Sequence, residues 1–453
     1  MNKYIHTHSS RGAALLIFVV LFLATSLSFI LAIGRGVYDD YVTFKTFFEG
    51  KRSFYAAEAG IEDAVHRHRD GDEYSNSETF AIGDMTVSTT RTSDGASFTI
   101  VSEGHAGDAH RESEVVLEIG DGASFNFGLQ SGNGGITLSN NSSIQGNVFS
   151  NGAVVGQGSA TVYGDVISAG ASGLVDHVHA TGTVRAHTIT DADIEGHAYC
   201  DSIDNSDVGG YIYCNSVTAT TNPAPAPDFP GTPDESVQPM PIPDTQIEEW
   251  KTNITTTGTV IPSTDARCAG GTYVINTNTT LGNVKIECNV EIRKQGAGTT
   301  VIIDNPVWIM GNLTFSQGPT IVASSSLGTR SVQIIVDNES NRLTSSKISV
   351  NQSTQFNSGS PSSYILLLSM NNSAENGGTE KAINLAQSAN GKVLVYASHG
   401  LVDMGNSISL KEVTAHQISI SNGASVIYES GLINLLFTSG PGGGFTITSW
   451  KEV

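Results

Sequence analysis

Between Gly146 and Ile212 the sequence repeats a short phrase. Gly146-Asn147-Val148, Gly164-Asp165-Val166, Gly182-Thr183-Val184, Gly196-His197-Ala198 and Gly210-Tyr211-Ile212 align, with glycines 18, 18, 14 and 14 residues apart (164 − 146, 182 − 164, 196 − 182, 210 − 196). Periods of this length allow one coil per repeat, each coil burying its apolar side against the next. Two residues before each glycine stand Ile144, Val162, Ala180, Ile194 and Val208; two after stand Val148, Val166, Val184, Ala198 and Ile212; four after stand Ser150, Ser168, Ala186, Cys200 and Cys214. Alternate residues of a strand share a face, so the three columns predict one interior of apolar or small side chains. The segment 131–218 therefore reads as a parallel β-helix.

The columns give the cysteines a geometry. Cys200 and Cys214 fall in one column of consecutive coils, which places their Cα atoms ~4.8 Å apart, within disulfide reach. Such a bridge stabilises by about 3 kcal/mol, mainly by restricting the unfolded chain. Gly270-Gly271 allows a reversal that brings Cys268 to Cys288. Four cysteines in two local pairs fit an oxidising compartment. Tyr199 and Tyr213 stack in an outward column, as a ladder or as a glycan platform. His177, His179, His187 and His197 cluster nearby, and His177 and His179 would share a strand face, yet no Cys or carboxylate pattern completes a metal site. Asp191 and Asp193 could pair as catalytic carboxylates, against a solvated turn as the plainer reading. No cofactor is expected, and no phosphate loop or nucleotide fingerprint is found.

The other constraint lies at the front. Ala13 to Ile33 runs 21 residues (33 − 12) without a charge, ~32 Å as a helix and enough to cross a bilayer core. Lys3 and Arg11 precede it, favouring a cytoplasmic N-terminus, although Arg35 lessens the asymmetry. Beyond it Val37, Tyr41, Phe44, Phe48 and Tyr55 recur at helical spacing, and helix formers continue towards Arg69. One helix over 13–69 is predicted, on the order of 85 Å long. Gly34 and Gly36 mark either a break at the membrane interface or a point of give. Asp70-Gly71-Asp72 ends the helix as a solvated turn rather than a calcium loop. Met85 and Val87, Phe98 and Ile100, and Val115 to Ile119 then alternate as short strands turning at Gly104 and Gly107. They predict a small antiparallel sheet within 70–125, resting on the C-terminal half of the helix.

Arg11-Gly12 followed by Ala13-Ala14-Leu15-Leu16-Ile17 resembles a prepilin cleavage site, and Phe54-Tyr55-Ala56-Ala57-Glu58-Ala59-Gly60-Ile61 resembles the helix signature of PilX-type minor pilins of type IV pili and type II secretion pseudopili. The resemblance covers roughly residues 10–120. It implies a leader over 1–12, cut by prepilin peptidase between Gly12 and Ala13, and a helix that joins other pilin-like subunits in a filament core through positions such as Ile17, Phe44, Phe48 and Tyr55. Major pilins carry a glutamate where this chain has Ile17. In the family picture that carboxylate meets the amine of the preceding subunit, and an unpaired charge there is costly. A subunit with nothing ahead of it has no such amine, so Ile17 suits a minor or tip subunit.

The prolines concentrate between Asn222 and Asp244, beginning with Pro223, Pro225, Pro227 and Pro230, and predict an extended linker over 219–246. Thr245 to Thr252 suggests a helical turn or two. Strands resume over 247–453: Val284, Ile286, Cys288, Val290 and Ile292 alternate with polar residues, while 301–303, 307–310, 332–336, 364–368 and 393–396 are continuous apolar runs. A second solenoid-like domain is expected, ending in a strand with Phe445 and Ile447.

The expected fold is mainly β: a long N-terminal helix with a small sheet, then a parallel β-helix and a second β-helix-like domain. Acids outnumber bases 44 to 23, for a net charge of −21, which repels phosphate backbones and argues against nucleic acid as a partner. The expected function is a non-enzymatic minor pilin-like protein. It would be held in the cytoplasmic membrane by its helix and exposed at the surface after assembly, serving adhesion, with surface glycan as one partner, or filament priming. A polysaccharide-active β-helix is the first rival, but Arg185 is the lone base in 131–218, little to neutralise an acidic sugar. A bactofilin-like membrane scaffold is the second; it would keep Met1, and the cysteines argue against its cytoplasmic side.

Overall fold

The computed structural model describes residues 11–70, 77–93, 97–119, 124–139, 141–222, 231–296, 298–328, 330–360, 363–435, 437 and 445–452. The expected leader, apart from Arg11 and Gly12, lies outside these residues, as do Gly71, Asp72, Pro223, Pro225, Pro227 and Pro230. The chain forms two compact units. One contains the helix through His66, the chain up to Leu117 and the end from Ile447; the other contains Glu118–Thr446.

In the first unit α1 (Arg11–Asp70) is one helix of 60 residues, ~90 Å long. It passes unbroken through Gly34 and Gly36, each with open space where a side chain would stand. The expected interfacial break is therefore not formed: two glycines cost about 1 kcal/mol each, which a long helix tolerates. Strands β1 (Ser77–Ile82), β2 (Met85–Ser93), β3 (Ser97–Ala106) and β4 (Ala109–Ile119) follow in sheet order, and β1–β2 and β2–β3 pair antiparallel. The fifth strand comes from the far end of the chain. Phe445–Glu452 lies beside β4, correcting the expectation that it closes the second solenoid.

The helix lies flush on this sheet because its facing residues are small. Ser53, Ala56, Ala57, Ile61 and Ala64 are buried on the helix, and Val87, Ile100, Val115 and Leu117 on the strands. Gly60 has no room for a side chain: a Cβ would stand 2.2 Å from Ser102 Oγ and 2.5 Å from Val87 Cγ1. At Gly104 on the sheet it would stand 2.1 Å from the Ser53 carbonyl oxygen. Glu58 ties two strands, its Oε1 accepting from Ser113 Oγ on β4 and from Trp450 Nε1 on the closing strand, both at 3.0 Å.

The second unit is one solenoid. Over 129–221 the repeat columns align as read: Val148, Val166, Val184, Ala198 and Ile212 pair parallel and in register, and so do Ile144, Val162, Ala180, Ile194 and Val208. The two columns belong to different sheets, however, of 21 and 12 strands. The glycine between them is a corner, so they share the interior without sharing a strand face. The corner also explains the glycines. A Cβ on Gly164, Gly182, Gly196 or Gly210 would stand 2.6, 2.6, 2.4 or 2.5 Å from the carbonyl oxygen of the glycine one coil before.

The expected second β domain is not separate. Its last coil stacks on the first coil of the repeat region: Val413 pairs with Leu129, Ile418 with Ile136, Ile420 with Leu138 and Val426 with Ile144. Along the stack the coils run 259–281, 284–303, 307–323, 332–358, 365–391, 393–410 and 412–427, then 129–145, 148–163, 166–180, 184–194, 198–208 and 212–221. Twelve strands in the smaller sheet give it about 53 Å of length.

The proline-rich stretch is accordingly not a domain boundary. After the last coil the chain runs back along the solenoid. Gly231 N–H bonds Asn215, Asp234 meets His187, Glu235 meets Arg185, Gln238 exchanges hydrogen bonds with Asn151, and the Pro239 carbonyl accepts from Gln130. The Ile242 carbonyl then accepts from the Tyr396 hydroxyl. From Asn215 to Tyr396 is seven coil steps, about 34 Å. Eleven residues of extended chain (242 − 231) at ~3.1 Å each span the same 34 Å. The strap ends in α2 (Asp244–Thr257), longer than the turn or two expected. Its Ile247, Trp250 and Ile254 form a second core with Phe125, Trp308, Ile335, Leu366, Leu368, Leu394, Tyr396, Leu432 and Phe437. This covers the outer side of strands 332–336, 365–369 and 393–397, whose inner side faces the solenoid core. Burial on both faces is why those strands are apolar throughout.

Candidate functional site

The feature with the plainest functional content is the free side of α1. At 100° per residue, Ser53, Ala56, Ala57, Gly60 and Ala64 occupy an arc of about 100° turned to the sheet. Val37, Tyr41, Phe44, Phe48 and Tyr55 occupy an arc of about 60° centred roughly 150° away. They cannot cover the same surface. Phe44, Phe48 and Tyr55 keep 66%, 53% and 64% of their surface and Ile17 62%, and Phe44 and Phe48 stack at 6.1 Å. From Leu15 onward the helix is long and apolar enough to cross a membrane, and none of its most apolar stretch is buried in the protein. A large apolar surface of this kind marks a lipid or protein contact. Further along, Lys51 lies over the Phe47 ring at 4.8 Å, Arg52 lies over Phe48 at 5.8 Å, and Arg52 pairs with Asp84. Gly12 and Ala13 lie in the first turns of α1.

Both expected disulfides are formed. Cys200 and Cys214 are register partners with Cα atoms 4.6 Å apart, and Cys268 and Cys288 are joined at 5.9 Å. Tyr199 and Tyr213 stack at 4.5 Å with planes 2° apart, His197 stacks on Tyr211 at 5.4 Å, and Arg185 lies 4.0 Å over Tyr199. The inner faces of Tyr199 and Tyr213 are turned on each other and Arg185 covers Tyr199 from outside. That is the ladder packing of stacked columns.

His177 and His179 do not share a face. His177 sits at a corner with φ 53°, its Nδ1 2.7 Å from Asp176, while His179 faces Asp193 and Glu195 at 3.8 and 3.6 Å. Asp191 is the next corner residue, φ 50°, and accepts from Asn205, itself at φ 45°. Asp191 and Asp193 are thus a corner and a strand residue with separate partners, not a facing pair. His177, Asp191, Asn205 and Ala219 are a column of left-handed corners 14 residues apart, suited to short polar side chains.

No motif or spacing in the sequence points to the charged cluster under α2. Lys251 is 2% exposed, and its ammonium donates to Asp337, Glu248 and Glu339 at 2.7, 2.8 and 2.6 Å. Asp337, fully buried, also accepts two bonds from Arg342, at 2.8 and 2.7 Å. Burial works to lower the Lys251 pKa, but the three carboxylates outweigh it and hold it above the ordinary value. Glu248, Asp337 and Glu339 could together hold a cation, but the ammonium already occupies the space between them. Nearby, His399 bridges Asp244 at 2.9 Å and Glu375 at 2.7 Å, fastening the end of the strap. Glu412 is fully buried, and burial raises its pKa well above the carboxylate range, which the bond from Thr414 only partly offsets.

No known protein family matches the chain, and no curated protein does. Among solved structures, the competence-associated pilin ComZ from Thermus thermophilus aligns over 89% of this chain and 97% of its own, at 13% identity and a TM-score of 0.35. An overlap at that score establishes no shared arrangement, so the functional reading rests on this chain's own residues.

Proposed function

We propose that the chain is a minor pilin-like protein of the cell surface. Its helix holds it in the membrane and then packs among the helices of other pilin-like subunits, after prepilin peptidase has cut between Gly12 and Ala13. The observation that carries this reading is the division of labour on α1. One side is reduced to Ser, Ala and Gly so that a sheet can lie on it, while the opposite side keeps an apolar stripe, Val37, Tyr41, Phe44, Phe48 and Tyr55, that stays more than half exposed among the described residues. A plain anchor needs neither the stripe beyond residue 36 nor 60 residues of unbroken helix. The solenoid is the displayed part, with adhesion or filament priming as its task. Display rather than catalysis is favoured because Asp191 and Asp193 have separate partners and do not face each other as a carboxylate pair.

The test is the full chain expressed in cells with and without prepilin peptidase, with a photo-crosslinking residue at Phe48. The expected result is a mature chain beginning at Ala13 and crosslinks to other pilin subunits, both lost without the peptidase. A chain that keeps Met1 and crosslinks to no subunit overturns the reading. A deletion strain separates the tasks: fewer filaments indicate priming, normal filaments that no longer attach indicate adhesion, and no change in either removes both.

A further inference from the structure

The two disulfides occupy matching places at opposite ends of the solenoid. Cys214 is in the outermost coil on one side, 212–221, which stacks on 198–208, and Cys200 is in that neighbouring coil. Cys268 is in the outermost coil on the other side, where 259–261, 272–275 and 279–281 stack on 284–286, 289–293 and 300–303; Cys288 is in that second coil. Each bond therefore joins a last coil to the next-to-last. No bond staples the eleven-coil interior of the stack or the seam between 412–427 and 129–145.

End coils are where a solenoid is weakest, because each has one stacking neighbour in place of two. The packing reflects this. Val166, Val184, Leu367 and Val395 inside the stack are wholly sealed, whereas Ile212, Cys214, Leu281 and Cys288 at the ends keep 7, 7, 8 and 7% of their surface. We propose that the disulfides are end clamps: oxidation holds the two terminal coils shut, and reduction lets both ends open while the middle of the solenoid stays folded. Each clamp closes when two thiols form one S–S bond, releasing two protons and giving two electrons to a disulfide-class oxidant; an added dithiol reverses it. The sequence separations are 14 and 20 residues, so each bond constrains one coil and does not tie distant parts of the stack. The inference does not depend on the filament reading.

Hydrogen exchange on the full chain, oxidised and after dithiothreitol, tests it. Amide protection over 212–221 and 259–281 should fall by roughly a hundredfold, the loop-closure advantage of cross-linking about 15 residues. Protection over 365–369 and 393–397 should change less than about twofold. The paired variants Cys200→Ala/Cys214→Ala and Cys268→Ala/Cys288→Ala should each loosen only their own end. Protection lost evenly through the stack, or ends unchanged on reduction, overturns the proposal. Should a variant fail to accumulate, reduction of the folded wild-type chain gives the same reading.

Discussion

Replacing Asp337 by Asn keeps the shape of the side chain and removes the charge that Lys251 and Arg342 converge on. Removing one partner of a buried ion pair costs about 3–5 kcal/mol, chiefly through the charge left behind. Here the penalty is reduced, because Lys251 retains Glu248 and Glu339, half-exposed carboxylates at 2.8 and 2.6 Å. Exposed pairs contribute about 0–1 kcal/mol each, so the expected loss for Asp337→Asn is about 2–4 kcal/mol. Glu339→Gln, which removes only an exposed partner, should cost less than about 1 kcal/mol. The assay is urea unfolding of the second unit followed by tryptophan fluorescence. Trp250 and Trp308 lie in the core under α2, and Trp308 Nε1 donates to the Asp337 carbonyl at 2.9 Å, while Trp450 belongs to the other unit. Equal losses for the two substitutions, or a loss below about 1 kcal/mol for Asp337→Asn, would refute the view that the buried carboxylate is what holds α2 down.

Gly104→Val should lift α1 from its sheet, since the new Cβ meets the backbone of Ser53 and Ala57 at 2.1 and 2.4 Å. A loss of at least about 3 kcal/mol should appear as proteolytic release of the sheet strands, and a variant as protease-resistant as wild type would count against flush packing. The His399 latch predicts a pH dependence. Hydrogen bonding to Asp244 raises the His399 pKa, so its contribution is complete below the unfolded value of ~6.5 and fades as pH rises through the folded value. His399 in turn lowers the Asp244 pKa, so that group's contribution is present above ~4 and lost in stronger acid. His416 opposes the trend, because burial lowers its pKa and favours the neutral ring. Thermal midpoints from pH 6 to 8 should fall more steeply for wild type than for His399→Gln, and parallel slopes would exclude the latch.

The sequence showed neighbours wherever they are consecutive. The columns at 14 and 18 residues fixed the coil register from Ile144 to Cys214, including one disulfide, and the uncharged run with its aromatic stripe gave the helix. What it hid was every partnership over long separation. Val413 and Leu129 pair across the middle of the stack, yet each would suit the edge of any coil, because backbone hydrogen bonds carry no residue label. Phe445–Glu452 looks like any strand and says nothing of β4. Over 231–242 the chain is extended, but extension reads the same in a free linker and in a strap held by Asn151, Arg185 and Gln130. The cluster at Lys251 was invisible because Asp337 and Arg342 follow a strand in the chain while Lys251 arrives from a helix 86 residues earlier.

Because β4 and the closing strand lie side by side, the whole solenoid is an insertion into the join between two neighbouring strands. Order of synthesis follows from this: β1 to β4 are made before the solenoid and Phe445–Glu452 after it, so the five-stranded sheet can be completed only once every coil has left the ribosome.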